Sequence, residues 1–300
     1  MRNKASASQT KNSFAQKWSH SRDFQVGPET LDSDTLSWIL DRNGFASLAQ
    51  LKNFLSTRSR ILDAGCGNGR ILNLLASHAS AESTLVGVDL AASEIAAKNL
   101  IHQSNVEVHP HDLLLPLPDN LKPFDFIYCQ EVLHHTGDPE AAFRNLCEAL
   151  AEDGVIAIYV YKRKGPIREF SDDYLHEQVK NLSYDEAEPH MKSLQILGRK
   201  LSELRTEVIL PEIPLLGIPA GKHDIQRLVY NYFLKCYWNP ELSEDANTMI
   251  NFDWYHPSYS SRHTLDEVRE WFRKVDLRIT HAKVDPYGIT VHGVRSTGAQ

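Results

Sequence analysis

Apolar residues change their spacing several times along the chain, and each change marks a structural boundary. Residues 1–13 are polar and carry no period, which predicts a disordered tail. From Phe14 to Leu55 the spacing is helical, with Leu36, Ile39 and Leu40 on one face, so 14–55 is expected to form a helical cap. Short apolar runs then alternate with amphipathic stretches. Strands are expected at Arg60–Ala64, Ser83–Leu90, Asn105–His109, Phe124–Cys129 and Val155–Tyr161. Helices are expected at Ile71–Ala79, at Ser93–Ile101, and from an Asp138-Pro139 start to about Leu150, where Gly154 would end it. Such alternation predicts an α/β fold with a mostly parallel sheet covered by helices on both faces.

The alternation stops after Tyr161. Residues 162–262 are mixed and include Pro211-Glu212-Ile213-Pro214, which reads as a large insertion after the fifth strand. Regularity returns in 263–300. Thr264-Leu265-Asp266-Glu267 is a capping box opening an amphipathic helix through Trp271 and Phe272. Two further strands, near Leu277–Val284 and Ile289–Val294, flank Asp285-Pro286-Tyr287-Gly288 and suggest a hairpin.

Composition narrows the class. The chain has 300 residues, 42% hydrophobic and 24% charged, enough for a real core. Its formal charge of −7 argues against nucleic acid as the main partner. Cys66, Cys129, Cys147 and Cys236 form no CxxC pair, so they read as reduced thiols in a cytoplasmic protein. The Ser- and Lys-rich start is faintly like a transit peptide, against a plain polar terminus. No stretch approaches the roughly 20 apolar residues of a membrane span.

The chemistry centres on Asp63-Ala64-Gly65-Cys66-Gly67-Asn68-Gly69-Arg70, between the first strand and the next helix. Open α/β sheets bind ligands at such strand ends. A dinucleotide loop reads GxGxxG and offers its amides to a pyrophosphate. Here the spacing is GxGxG, and Arg70 stands where the third glycine would be. Asp63 would repel a phosphate but attract an ammonium. Asp89 ends the second strand, where an acid can accept ribose hydroxyls, and Asp112 follows the third. Each acid has a structural alternative as a cap or solvated loop residue; their order at three strand ends favours an adenosine ligand.

From Ile61 to Tyr161, the chain resembles the class I S-adenosylmethionine (SAM)-dependent methyltransferases, nearest the group containing ubiquinone and menaquinone biosynthesis enzymes. The matching blocks are Ile61–Arg70, Val86–Leu90, Asp112-Leu113 and Phe124–His135. Phe14–Trp18 and the downstream helix–strand block are similar to a subgroup associated with sugar or secondary-metabolite pathways. The resemblance implies a Rossmann-like seven-stranded sheet of order 3-2-1-4-5-7-6 with its last strand antiparallel. It makes 56–161 the SAM-binding core. Asp63, Gly65, Cys66, Gly67 and Gly69 would hold the methionine part of SAM, Asp89 and Leu90 the ribose, Asp112 and Leu113 the adenine, and Gln130 the amino-acid moiety. The implied activity is methyl transfer to a small molecule such as a metabolite, a sugar or a secondary-metabolite intermediate. RNA methylation, a non-catalytic SAM-binding scaffold and nicotinamide oxidoreduction are the alternatives, the last weakened by Asp63 and Arg70.

A hydroxyl acceptor needs a base near neutrality, a role for His135, then His134, with Glu131 third. The alternative is that the two histidines shape their loop. The insertion is expected to act as a lid over the acceptor. Tyr161, Arg168, Trp254, Tyr255, His256, Tyr259 and His263 are its candidate acceptor residues, set against a buried aromatic seam. The Lys162–Arg168 basic cluster would take an anionic group, against a solvated run. His109 and His111 share a strand face but lack a third ligand, so no metal is expected.

Overall fold

The computed structural model describes residues 4–27, 31 and 33–295. In chain order the helices are α1 (Lys4–His20), α2 (Ser33–Arg42), α3 (Leu48–Leu55), α4 (Arg70–His78), α5 (Ser93–Asn99), α6 (Pro139–Glu148), α7 (Pro166–Val179), α8 (Tyr184–Glu203), α9 (Ile225–Tyr232), α10 (Glu244–Tyr255) and α11 (Leu265–Lys274). The strands are β1 (Arg60–Ala64), β2 (Thr84–Asp89), β3 (Val106–Pro110), β4 (Phe124–Gln130), β5 (Leu150–Tyr161), β6 (Glu207–Leu210), β7 (Gly221–Asp224), β8 (Leu277–Val284) and β9 (Gly288–Arg295).

Two compact units emerge. Among the described residues, the first holds 18–27, 31, 33–162 and 261–295, the second 4–17 and 163–260. In the first, seven strands take the order β3-β2-β1-β4-β5-β9-β8. β1 to β5 are parallel; β9 runs antiparallel to both β5 and β8. This is the strand order expected from the resemblance, with β6 and β7 set apart as an antiparallel hairpin in the second unit.

Alternation along the strands explains why both faces are covered. Ile61, Leu85, Phe126 and Tyr128 point to one side, where Leu51 and Leu55 of α3, Leu72 and Leu75 of α4 and Ala96 of α5 pack. Leu62, Val86, Ile127 and Cys129 point to the other, against Phe143 and Leu146 of α6 and Val268, Trp271 and Phe272 of α11. A period of two on parallel strands thus builds two cores. Caps set the helix starts. Asp138 accepts from the Ala141 amide at 3.0 Å with Pro139 in the first turn, and Thr264 and Glu267 complete both bonds of the capping box. At the β8–β9 turn, Asp285 Oδ1 accepts the Tyr287 and Gly288 amides at 2.6 and 2.7 Å.

Two expectations are corrected. Of the predicted disordered tail, 1–3 lie outside the described residues, while 4–13 are helical in α1. Polar groups, invisible to an apolar-period reading, hold that helix. Gln9 Nε2 donates to the Lys180 and His256 carbonyls at 2.7 and 2.8 Å, and Ser13 Oγ meets His256 Nδ1 at 2.8 Å. Gly154 does not end a helix: α6 stops at Glu148, and β5 already begins at Leu150, which pairs with Phe124. No helix among the described residues is long and apolar enough to cross a membrane.

Candidate cofactor site

In this sheet the strand order reverses beside β1, the switch point where α/β sheets place ligands. The loop leaving β1 carries Gly65 at φ 85° and Gly67 at φ 56°. A Cβ on Gly65 would lie 2.3 Å from Val132 Cγ2, and one on Gly67 2.6 Å from Trp18 Cζ2. Glycine therefore allows both the left-handed backbone and the close seating of Val132 and Trp18.

The loop's amides are already in use. Gly65 and Cys66 donate to the Val88 carbonyl at 2.7 and 3.1 Å, Gly69 to Cys66 at 2.9 Å, and Gly67 to Asp89 Oδ2 at 3.0 Å. A pyrophosphate-binding loop needs those donors pointing at the ligand. Here three of the four are spent on the end of β2 and one within the loop, consistent with a ligand that has no phosphate there. The Cys66 side chain turns into the core with Leu72, and burial pushes its thiol up; the loop's Cys66 contribution is its backbone.

Asp63 is the most unusual group. It pairs across the sheet with Gly87 and Tyr128, and it is 3% exposed. Burial foremost, then Asp89, pushes its carboxyl up to about 7, and Arg70 opposes this. Its Oδ2 is buried without a hydrogen-bond partner. A buried acceptor lacking a donor is costly. An ammonium supplies both the charge and the N–H groups missing at this oxygen, so the residues fit the amino-acid end of SAM.

The other two acids serve their own loops as well. Asp89 Oδ1 accepts from Ala91 and Ala92 at 2.8 Å each, and Asp112 Oδ1 from Leu114 at 3.1 Å. Both are half-buried, and a carboxylate has about four lone-pair sites, so capacity for a ligand remains. Leu90 is partly exposed beside Asp89, while Leu113 is buried.

Several residues of this site carry no local sequence signal. Asn68 is fully buried and donates to the carbonyls of Ser21 (3.4 Å), Arg22 (3.3 Å) and Phe24 (2.9 Å). Arg70 Nη1 donates to Gln25 at 3.0 Å. The segment following α1 is thereby sewn onto the glycine loop. Asn68→Ala should lower stability by about 2 kcal/mol, since it removes donors to buried carbonyls. An unchanged urea midpoint would refute this coupling.

At the end of β4, Gln130 is buried and pairs with Asn43 through both amides. Glu131 sits at φ 65°, a strained conformation for glutamate, with its carboxylate 3.4 Å from Arg42 and 3.6 Å from Arg70. Arg42 is buried between the Trp38 and Tyr159 rings. Glu131, expected as a candidate base, instead holds two guanidinium groups.

His134 is fully buried and stacked on Tyr161 at 3.6 Å, and its carbonyl accepts from the Ser261 amide at 2.9 Å. A ring shut inside the core cannot meet an acceptor, so His134 is a packing residue. His135 is half-buried and edge-on to Tyr161 at 5.4 Å. His263, also half-buried, binds Ser261 Oγ at 2.9 Å through Nε2.

In the second unit, four expected acceptor residues form the interior. Arg168 Nε donates to Asp172 at 2.7 Å, and both are nearly fully buried. Trp254 Nε1 and the Tyr255 hydroxyl each donate to the same Asp172 at 2.9 Å. His256 is buried and held by Ser13 and the Leu182 carbonyl at 3.0 Å. Arg168 is thus neither a free anion site nor a solvated residue, because a buried guanidinium needs its carboxylate. Tyr259 remains half-buried, its amide on Thr10 Oγ1 at 3.0 Å. His109 faces Glu107, and His111 the Leu115 carbonyl. Among the described residues no group of three or more His, Cys, Asp or Glu is placed to hold a metal.

A family described as a methyltransferase domain matches residues 40–198, just over half of the chain. The chain belongs to that family. Its cofactor is SAM. Among similar proteins, ubiquinone biosynthesis O-methyltransferase of Coxiella burnetii is 36% identical over 97 residues, 31% of this chain and 39% of that one. The enzyme of the same name from Psychrobacter arcticus is 27% identical over 198 residues, 64% of this chain and 70% of that one. The chain therefore spans about two-fifths of the Coxiella relative's length. The DhpI–SAH complex shares the fold, with a TM-score of 0.50 and 14% identity over 97% of this chain and 98% of that one.

Proposed function

We propose that this methyltransferase carries the methyl group of SAM to a hydroxyl of a small organic acceptor, in the reducing interior of the cytoplasm. The observation that carries the donor half is the buried, unpartnered Asp63 Oδ2 beside a loop whose amides are spent on β2 and on the loop's own backbone. The acceptor half draws on the relatives named as ubiquinone biosynthesis O-methyltransferases and on the acidic whole-chain charge, which suits no polyanion. Four free, buried cysteines suit a reducing compartment.

SAM supplies an activated methyl on a sulfonium, so the chain's own work is positioning and proton handling. In this reading Asp63 holds the ammonium, Asp89 with Leu90 the ribose, and Asp112 with Leu113 the adenine. Gln130 and the glycine backbone shape the methionine channel. His135, the less enclosed of the two histidines after β4, takes the acceptor's proton. Within the first unit, Tyr161 and His263 are the remaining acceptor-side residues.

The test has two arms. Calorimetry with SAM and its demethylated product measures the donor site; absent binding would remove the cofactor assignment. Methyl-labelled SAM incubated with the protein and a panel of catechols and other phenols, read by mass spectrometry, measures transfer. His135→Gln should bind SAM within about twofold of wild type and lose turnover roughly a hundredfold, as expected for a lost general base. Retained turnover would end the role of His135.

A further inference from the structure

Asn43 follows the last residue of α2 and reaches three elements at once. Its Nδ2 donates to the Ile39 carbonyl at 2.8 Å, and a carbonyl only accepts, so the orientation of this amide is settled. The other hydrogen of Nδ2 goes to Gln130 Oε1 at 3.2 Å. Its Oδ1 receives Gln130 Nε2 on one side and His292 Nε2 of β9 at 2.8 Å on the other. Because Oδ1 can only accept, His292 Nε2 must carry the hydrogen. All three side chains are buried, and the Asn43 amide is fully satisfied.

A second histidine grips the same turn. His281 Nε2 lies 2.9 Å from the Arg42 carbonyl, and its ring is 5.0 Å from that of His292. Gly44 at φ 74° lets the turn approach it, since a Cβ there would come within 2.9 Å of the His281 ring. Burial, with His281 adding to it, pushes His292 down to about 3. It therefore stays neutral at physiological pH and offers one N–H.

Gln130 is the end point of this chain. It lies two residues beyond Tyr128, which pairs with Asp63 across the sheet, so it stands alongside the start of the glycine loop. Asn43 uses one hydrogen and one lone pair of its amide. One of each remains, and their direction is set by Asn43.

We propose that His292 is a positioning residue for the cofactor site: through Asn43 it fixes the Gln130 amide, whose remaining N–H and carbonyl face the amino-acid end of SAM. This rests on the SAM reading of Gln130 given above. Nothing local in the sequence marks His292, which sits on β9, between β5 and the edge strand β8.

The experiment measures SAH affinity by calorimetry, thermal unfolding, and steady-state methyl transfer in His292→Phe, His292→Gln, Gln130→Ala and the His292→Phe/Gln130→Ala pair. His292→Phe should weaken SAH at least fivefold and raise KM for SAM with kcat little changed. His292→Gln, which keeps an N–H donor, should restore affinity to within twofold. In the Gln130→Ala background, His292→Phe should cost no further affinity, because interaction through a shared partner is non-additive. Unchanged affinity in His292→Phe, or a full additional loss in the Gln130→Ala background, overturns the proposal. If wild-type protein itself fails to bind SAH, the cofactor reading fails first, and separately. Should His292→Phe not fold, Asn43→Ser breaks the same link and carries the same expectations.

Discussion

Replacing Asp63 with asparagine is expected to weaken SAM binding roughly ten- to hundredfold, the loss of one charge-assisted hydrogen bond of about 1.5–3 kcal/mol. The ligand-free variant should at the same time be more stable than wild type above pH 7. Both effects follow from one buried carboxylate whose Oδ2 has no donor. Its folded-state value of about 7 lies above the 3.8 of an unperturbed aspartate. Between those values the folded protein binds more protons than the unfolded chain. Stability therefore falls as pH rises through this window and is lowest above it. Removing the carboxylate relieves up to about 4 kcal/mol at pH 8 and little at pH 4. Differential scanning calorimetry at the two pH values reads this directly.

The same group shapes ligand binding. An ammonium needs the ionised carboxylate, so wild-type affinity should fall about tenfold per unit as pH drops below 7. It should fall again above about 8 as the ligand's own α-amino group deprotonates. Asp63→Asn should flatten the acidic limb only. An acidic limb surviving in Asp63→Asn would mean that another group binds the ammonium.

Asp172→Ala should cost about 3–5 kcal/mol, the range for breaking a buried ion pair from one side. The variant leaves the Arg168 guanidinium buried without its carboxylate and deprives Trp254 Nε1 and the Tyr255 hydroxyl of their acceptor. The Tyr255 hydroxyl still has the Lys235 carbonyl as an acceptor at 3.2 Å, so the damage centres on Arg168 and Trp254. Urea unfolding followed by tryptophan fluorescence is the measurement. The Arg168→Met/Asp172→Leu pair should recover part of the loss, because it removes both charges and keeps the volume. If Asp172→Ala unfolds at the wild-type midpoint but raises an acceptor's KM, these residues bind the acceptor after all, and the structural role assigned to them is wrong.

These two acids show where a sequence can be read and where it stops. Asp63 was legible because its meaning is local. It lies two residues before a GxGxG loop at the end of an apolar run, and that register is what the proposed ammonium role rests on in the sequence. Asp172 sits in an irregular insertion, and its partners lie 4, 82 and 83 residues away. No period or spacing joins them. Trp254, Tyr255 and His256 have the composition of a pocket, yet the fold spends their polar ends on Asp172, on Ser13 and on a backbone carbonyl.

Legible in the chain alone were the α/β class, the succession of strands and helices from β1 to β5, the capping box at Thr264, the Asp138 N-cap and the three strand-end acids. Those features depend on neighbours within about four residues along the chain, through periodicity, turn geometry and capping. Tertiary structure alone decided that residues 4–13 are helical, that His134 is shut into the core, and that Glu131 holds two arginines. It also decided that His292 and Asn43 stand behind Gln130. Each of these is set by buried polar groups seeking partners far away in sequence, and a buried donor or acceptor can be satisfied only where the completed fold brings its partner to it.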